Sequence, residues 1–213
     1  GYIQSILEAE KIKYTHSGAL ASSIAIDKEV SKKFFLKKKI KVPKYFIYSY
    51  FDNLNIYYLI KKSRIHFPIV MKPINEGSSL GVYICTKKNL NRNLRKLKKY
   101  NRVLIEEYVP GREIQVAVMD KKALGAIELK PRRKFYDYYA KYSNKAKTKH
   151  IMPAPMESKK YKEVLNIAQK AHIVLGCRGV TRSDFRYYKN KFYLLEVNTQ
   201  PGMTSLSLVP EIA

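Results

Sequence analysis

Two carboxylates, an amide and an arginine fall within one short stretch, Thr181-Arg-Ser-Asp184 … Leu195-Glu196-Val-Asn198-Thr-Gln-Pro-Gly202-Met-Thr-Ser205. Hard oxygen donors with positions left open for phosphate oxygens are what Mg²⁺ prefers, and one carboxylate shared between ions can hold a metal pair. The chemistry such a set would serve is that of a magnesium nucleotide. Tyr188-Lys-Asn-Lys191 is turn-like between β-rich runs at 179–187 and 192–197, so the pattern predicts a β-hairpin. Side chains alternate along a strand, which puts Glu196 and Asn198 on one face, and Arg182 on the same face of its strand as Asp184. A three-residue loop at 189–191 sets Asp184 directly opposite Glu196, whereas a two-residue loop sends them to opposite faces. The metal reading therefore requires the longer turn. The alternative is a solvent-facing hairpin with its charges on the wet side. Arg182 is placed to meet charge that develops during phosphoryl transfer.

Other segments offer parts of the same chemistry. Gly77-Ser78-Ser79 with Gly81 presents backbone N–H groups and hydroxyls that could cradle phosphate, although Gly and Ser are also default turn residues. Lys72 ends an apolar strand, Ile69-Val70-Met71, where an ammonium is costly unless it meets an anion or snorkels to the surface. Leu104-Ile105-Glu106-Glu107-Tyr108-Val109 runs to a boundary at Pro110-Gly111, with Glu113 beyond it. Such a hinge can hold adenine between apolar walls with ribose on the following carboxylate, or can be an ordinary linker bearing surface acids. Phe135-Tyr-Asp-Tyr-Tyr-Ala-Lys-Tyr142 joins aromatic closure to a cation, Lys141, as in a lid that excludes water; an aromatic packing patch is the other reading.

These residues need elements to position them. Apolar spacing predicts helices over 2–11 and 19–38, with Pro43 ending the second. A strand at 44–48, a helix started by Asp52, and strands at 68–72 and 82–85 follow. A lysine-rich helix near 87–99 and a strand at 102–108 complete a first lobe. The second opens with strands at 113–119 and 123–129, continues through an irregular tyrosine-rich stretch, a helix at 159–175 and the terminal hairpin. A segment as long as 131–155 inside a compact domain reads as a lid or binding loop. The expected domains are 1–18 as the remnant of a preceding substrate domain, 19–109 as a central lobe, and 110–213 as a C-terminal lobe.

A chain of 213 residues with 46% hydrophobic and 12% aromatic content can bury a real core, in two small lobes rather than as a disordered tail. Forty-two Lys and Arg against 17 Asp and Glu give +25, a balance that ordinarily suggests nucleic acid. The lysines, however, recur in short runs along the whole chain, without a basic arm, a zinc pattern or an RNP-like aromatic motif. They read as solvated faces, and a basic RNA-binding protein is the competing class. Cys85 and Cys177 are too few for a disulfide framework and read as reduced core thiols; the four histidines lack metal-ligand spacing. No signal peptide, transmembrane run or lipidation motif is legible, which points to the cytoplasm and away from membranes.

Taken in order, Gln4, Tyr14-Thr-His-Ser-Gly18, Asp27-Lys28, Val70-Met-Lys-Pro73, Glu76-Gly-Ser-Ser79, Leu104-Ile-Glu-Glu107, Phe135-Tyr-Asp-Tyr138, Ala140-Lys-Tyr142, Leu195-Glu-Val-Asn198 and Pro201-Gly-Met-Thr-Ser205, followed by Ser207-Leu208, make the chain resemble the D-alanine–D-alanine ligases of the ATP-grasp superfamily. The resemblance implies an α+β ATP-grasp fold of two lobes with the nucleotide site between them. It also implies ATP and two Mg²⁺ ions, with Mn²⁺ as a possible substitute, D-alanine as substrate, and a homodimer when complete. Lys28, Lys72, Ser79 and Lys141 would meet the nucleotide's phosphates; Glu106, Glu107, Tyr108 and Val109 would line the adenine pocket, with Glu113 on ribose. Asp184, Glu196 and Asn198 would hold the metals. Arg182 and the backbone of Gly202 would stabilise the tetrahedral intermediate, and Ser207 and Leu208 would bind the second D-alanine's carboxylate. Ser78 and Tyr142 would position substrates and lid. The hydroxyl of Tyr142, where ester-forming relatives carry Phe, favours a dipeptide product over D-alanyl-D-lactate; another ATP-grasp carboxylate–amine ligase is the enzyme alternative. The family's N-terminal domain, expected before Gly1, and its helices after Ala213 are outside this sequence, and His16 replaces a usual glycine.

Overall fold

The computed structural model describes every residue except Asn53, 131–147 and Leu206. Its backbone divides into two compact units, Pro43–Val109 on the one hand and Gly1–Val42 with Pro110–Ala213 on the other.

In the unit Pro43–Val109, strands β1 (Tyr45–Ser49), β2 (Ile69–Pro73), β3 (Tyr83–Cys85) and β4 (Arg102–Glu107) form an antiparallel sheet in the order β1-β4-β2-β3. Helices α4 (Ile56–Lys62) and α5 (Leu90–Leu97) supply Ile56, Ile60, Leu90 and Leu97 to a core shared with Ile69, Met71, Cys85, Val103 and Ile105. α4 begins at Asn55 rather than Asp52, because the Asn55 side chain accepts the Tyr57 and Tyr58 N–H groups that the first turn leaves unpaired. α5 is shorter than the lysine pattern suggests. Asn89 Oδ1 accepts the Thr86 N–H at 2.7 Å, tightening the entry turn, and a 3₁₀ turn over Lys98–Tyr100 follows the helix.

The other unit contains α1 (Tyr2–Ala9), α2 (Ala19–Ile26) and α3 (Lys28–Lys37), then β5 (Arg112–Met119), β6 (Lys122–Lys130), β7 (Lys149–Ile151), α6 (Ser158–Val174), β8 (Val180–Tyr188), β9 (Lys191–Asn198) and α7 (Leu208–Ile212). Its strands pair antiparallel in the order β7-β6-β5-β8-β9. The single helix expected over 19–38 is two. Asp27 is extended, with φ −79° and ψ 101°, and its Oδ1 accepts from Glu29 N–H at 3.0 Å and Val30 N–H at 2.9 Å. An N-cap of this kind contributes about 1 kcal/mol, so the break is an ordered start to α3.

Residues 19–42, assigned from sequence to a central lobe with 43–109, group instead with 110–213. The cause is long-range: Leu194 N–H donates to the Lys41 carbonyl at 2.9 Å, and the Lys41 ammonium lies over the Tyr193 ring at 5.4 Å. Of the expected lid, 131–147 lie outside the described residues. The remainder is sheet edge: β7 pairs with β6, Ala154 N–H donates to Ala126 C=O at 2.8 Å, and Arg112, forked onto Glu128, also donates to Pro155 C=O at 2.7 Å.

α6 packs on β5, β6, β8 and β9 and buries His172 completely, with Nδ1 2.8 Å from Thr181 Oγ1. Burial holds this imidazole's pKa below its usual value. The unfolded chain takes up the proton near pH 6.5 and the folded chain only at lower pH. The stability tied to neutral His172 is thus complete above about pH 6.5 and is lost as pH falls through the folded pKa. Denaturant unfolding at pH 7.5 and 5.5 should show lower stability on the acid side, with a limiting slope of about 1.4 kcal/mol per pH unit from this residue. The profile of a His172→Gln variant should be flatter on the acid side; an unchanged profile would exclude His172 as its source.

Candidate active site

Two successive left-handed residues, Lys189 at φ 46° and Asn190 at φ 61°, close the β8–β9 hairpin in two residues, with Tyr188 opposite Lys191. That is the turn whose twist matches paired strands. It is not the three-residue loop that the metal reading required, yet Asp184 does lie opposite Glu196, and Arg182 opposite Asn198. The ladder shifts register between Asp184 and Phe185, where Leu194 pairs with Phe185 and Glu196 with Asp184, leaving Leu195 as the bulged extra residue. One inserted residue reverses the facing of everything beyond it. The four polar side chains therefore share a face.

Their contacts follow from that register. Arg182 forks onto Asp184, Nε to Oδ1 at 2.8 Å and Nη2 to Oδ2 at 3.0 Å, and Asn198 Nδ2 donates to Asp184 Oδ2 at 3.4 Å. Lys28, the first residue of α3, brings its ammonium to 3.7 Å from Glu196 Oε2. Asp184 and Lys28 are each 5% exposed, so these charges interact in a medium less screening than water. Glu113, on β5, lies 3.3 Å from the Arg186 guanidinium. Two polar residues that the sequence reading passed over are also fully buried: Lys32, one helical turn after Lys28, and Gln115, directly opposite Asp184 on β5. The i,i+4 spacing from Lys28 was the available signal for Lys32. For Gln115 there was none, since its importance comes from a strand pairing.

The donor set fits a hard divalent cation. Among the described residues no three of His, Cys, Asp and Glu converge; the cluster is two opposed carboxylates and an amide, which leaves coordination positions for phosphate oxygens. The protein's own cations, Arg182 and Lys28, stand on the carboxylate oxygens where a metal would bind.

Gly202 approaches Ser207 so closely that a Cβ there would lie 2.8 Å from Ser207 Oγ. That hydroxyl is fixed by Thr204, accepting its N–H at 3.0 Å and meeting its Oγ1 at 2.9 Å. Leu208 is a core residue, packed with Ala117, Ile127, Leu129, Val209 and Ile212, so a ligand contact from Leu208 would come from its main chain. Lys141 and Tyr142 lie outside the described residues. The His16 and Tyr14 rings meet at a tilt, 4.7 Å between centroids, and the Arg178 guanidinium lies over the Tyr14 ring at 4.8 Å. Burial, with Arg178 nearby, lowers the His16 pKa. Both cysteines are free thiols; Cys85 is buried, whereas Cys177 is only partly covered, and burial pushes its pKa up to about 11.

In the unit Pro43–Val109, Lys72 does meet an anion. Val70 pairs with Glu106 across β2 and β4, so Lys72, two residues on, shares that face diagonally, and its Nζ lies 2.6 Å from Glu106 Oε1. Both are buried, which excludes snorkelling for Lys72 and makes Glu106 a charge of the interior rather than a surface acid. Glu107 and Tyr108 are partly exposed and Val109 is buried. Ser78 and Ser79 have φ of 50° and 60°, and Leu80 N–H closes the turn on Gly77 C=O at 3.0 Å. Left-handed non-glycine residues cost roughly 1–2 kcal/mol each and tend to persist at functional sites.

Two α+β units built on antiparallel sheets, one bearing an acid–amide–arginine face, define an ATP-grasp enzyme. The sequence model for the D-ala D-ala ligase C-terminus matches residues 45–213. The chain belongs to the D-alanine–D-alanine ligase family. It is 62% identical to the D-alanine–D-alanine ligase of Pelagibacter ubique over 214 residues, covering all of this chain and 70% of that one. The crystal structure of the Bacillus anthracis D-alanine–D-alanine ligase aligns with a TM-score of 0.86 at 33% identity, over 99% of this chain and 68% of that one. The same enzyme complexed with ATP aligns at 0.83 and 29% identity, over 99% and 67%.

Proposed function

We propose that this chain carries the nucleotide-binding and condensing machinery for ATP-dependent ligation of two D-alanines to D-alanyl-D-alanine, for peptidoglycan precursor synthesis. The γ-phosphoryl group of ATP passes to the carboxylate of the first D-alanine, the amine of the second attacks the acyl carbon, and phosphate leaves. Two anions must approach one another in the first step. Cationic side chains therefore have to surround it, and Lys28, Lys72, Lys141 and Arg182 are assigned to that task, with Ser79 on the phosphates. Asp184, Glu196 and Asn198 would hold the Mg²⁺ ions, or Mn²⁺ in their place. When bound, these ions supply charge neutralisation on the transferring phosphoryl group. Glu106, Glu107, Tyr108 and Val109 are assigned to adenine and Glu113 to ribose. Gly202 and Arg182 are assigned to the tetrahedral intermediate, Ser207 and Leu208 to the second substrate's carboxylate, and Ser78 and Tyr142 to substrate positioning. A cytoplasmic homodimer completes the reading. It concerns small molecules alone, without nucleic acid or membrane.

The observation that carries the proposal is the register of β8 on β9, which sets Asp184 against Glu196 and Arg182 against Asn198. Calorimetry tests it. ATP with Mg²⁺ should bind this chain, and Asp184→Asn should weaken that binding at least tenfold while leaving the unfolding transition in place. Equal affinity of the two proteins would remove Asp184 from the metal site.

A further inference from the structure

Gln115 is fully buried, and neither its amide oxygen nor its amide nitrogen meets a hydrogen-bond partner among the described residues. A buried carboxamide with both ends unsatisfied is a costly choice at a position where a methionine would fill similar space without polar atoms. The cross-strand neighbours of Gln115 make the choice more pointed. On β6 it faces Ile127, part of an apolar cluster with Ala117 and Leu129, whereas on β8 it faces Asp184. Directly opposed residues of an antiparallel pair point to the same side of the sheet, with Cβ atoms roughly 4.5–5.5 Å apart. A glutamine side chain spans that distance.

Asp184 is at present occupied by other donors. Arg182 takes both of its oxygens and Asn198 Nδ2 adds a third contact. A divalent cation on Asp184 competes with the Arg182 fork for the same oxygens, and a carboxylate released from its fork needs another donor to fix its orientation. We propose that Gln115 is a positioning residue for Asp184. Once a metal ion takes the place of the Arg182 fork, the Gln115 amide N–H donates to the Asp184 carboxylate and orients it, and Arg182 is released toward the phosphoryl group. The site thus has two hydrogen-bonding states built on one sheet face. In the first, Arg182 satisfies Asp184 and Gln115 has no partner among the described residues; in the second, Gln115 satisfies Asp184 and Arg182 is available. This inference rests on the assignment of Asp184 as a metal ligand.

Mn²⁺ titrations in the presence of saturating ATP, followed by electron paramagnetic resonance, test it on this chain and on Gln115→Met. Partners that orient a metal ligand typically contribute ten- to a hundredfold in metal affinity, so the dissociation constant for Mn²⁺ should rise about tenfold in the variant. Its thermal midpoint should be equal or higher, because an unsatisfied amide has been removed from the interior. A residue with a merely structural role gives the opposite pattern, a lower midpoint with unchanged Mn²⁺ affinity, and that result overturns the proposal. A second measurement does not depend on the variant's folding. In the unsubstituted chain the side-chain amide proton resonances of Gln115 should move on addition of Mg²⁺ with ATP and stay in place with ATP alone; no movement with metal overturns the proposal. If the unsubstituted chain binds no Mn²⁺ at all, the metal assignment itself fails, an outcome separate from failure of Gln115.

Discussion

Glu196→Gln should abolish metal-dependent ADP formation in the complete enzyme while leaving the protein folded. Glu196 shares its face with Asp184 and Asn198 and has Lys28 3.7 Å away, so its charge, more than its volume, is what the position supplies. Gln is nearly isosteric and keeps an oxygen donor, but it removes one of two negative charges from the pair that would hold the cations. Metal stabilisation of a transferring phosphoryl group contributes several kcal/mol, and at about 1.4 kcal/mol per decade the loss should be on the order of a thousandfold in kcat/KM. The unfolding midpoint should fall but leave a cooperative transition, because Lys28, which is buried, loses a counter-charge 3.7 Å away. Turnover within a factor of ten of the parent enzyme would remove Glu196 from the metal set.

The second large effect falls on stability. Lys72 and Glu106 are 6% and 2% exposed, and their charged atoms are 2.6 Å apart. Removing one member of a buried ion pair costs roughly 3–5 kcal/mol, because the other charge has been desolvated without its counter-charge. Lys72→Met should therefore lower the unfolding free energy by about 3 kcal/mol. Pairing it with Glu106→Leu should recover most of the loss, since replacing both charges by apolar groups of similar volume is often neutral. Urea unfolding of the single and double variants decides the matter. A single variant as stable as the parent would mean that the pair is solvated in solution. If Lys72 also contacts phosphate, the double variant regains stability but not nucleotide affinity, which separates the two roles of the residue.

Much of the candidate site is legible in the sequence. The identity of Asp184, Glu196, Asn198 and Arg182, and the placing of a turn at 188–191, follow from side-chain chemistry and from the alternation of a strand, both local properties. The strands around Lys72 and Glu106 were legible for the same reason, as short apolar runs bounded by Pro and Gly. The break at Asp27 was missed because the apolar spacing runs through it, and only the capping geometry of its carboxylate shows two helices. The Leu195 bulge was missed because a bulge is a property of two strands together. From sequence the loop length stays open between two and three residues, and the longer loop is required only if the ladder is unbroken; the bulge lifts that requirement and lets a two-residue turn face Asp184 with Glu196.

Sequence by itself determined the inventory: which residues have side chains suited to metal and phosphate, which runs are strands, and which family motifs occur in order. Tertiary structure decided the partners. That Glu196 faces Asp184 depends on one bulged residue, and that Lys28 reaches Glu196 depends on α3 packing beside β9. That Gln115 faces Asp184 depends on which strand lies next to β8 in the sheet. The physical reason is the range of the forces. Alternation, capping and propensity act over a few residues and can be read along the chain. Register, sheet order and the burial of a charge are set by contacts between segments far apart in sequence, here 1–42 with 110–213, and these exist only once the chain has folded.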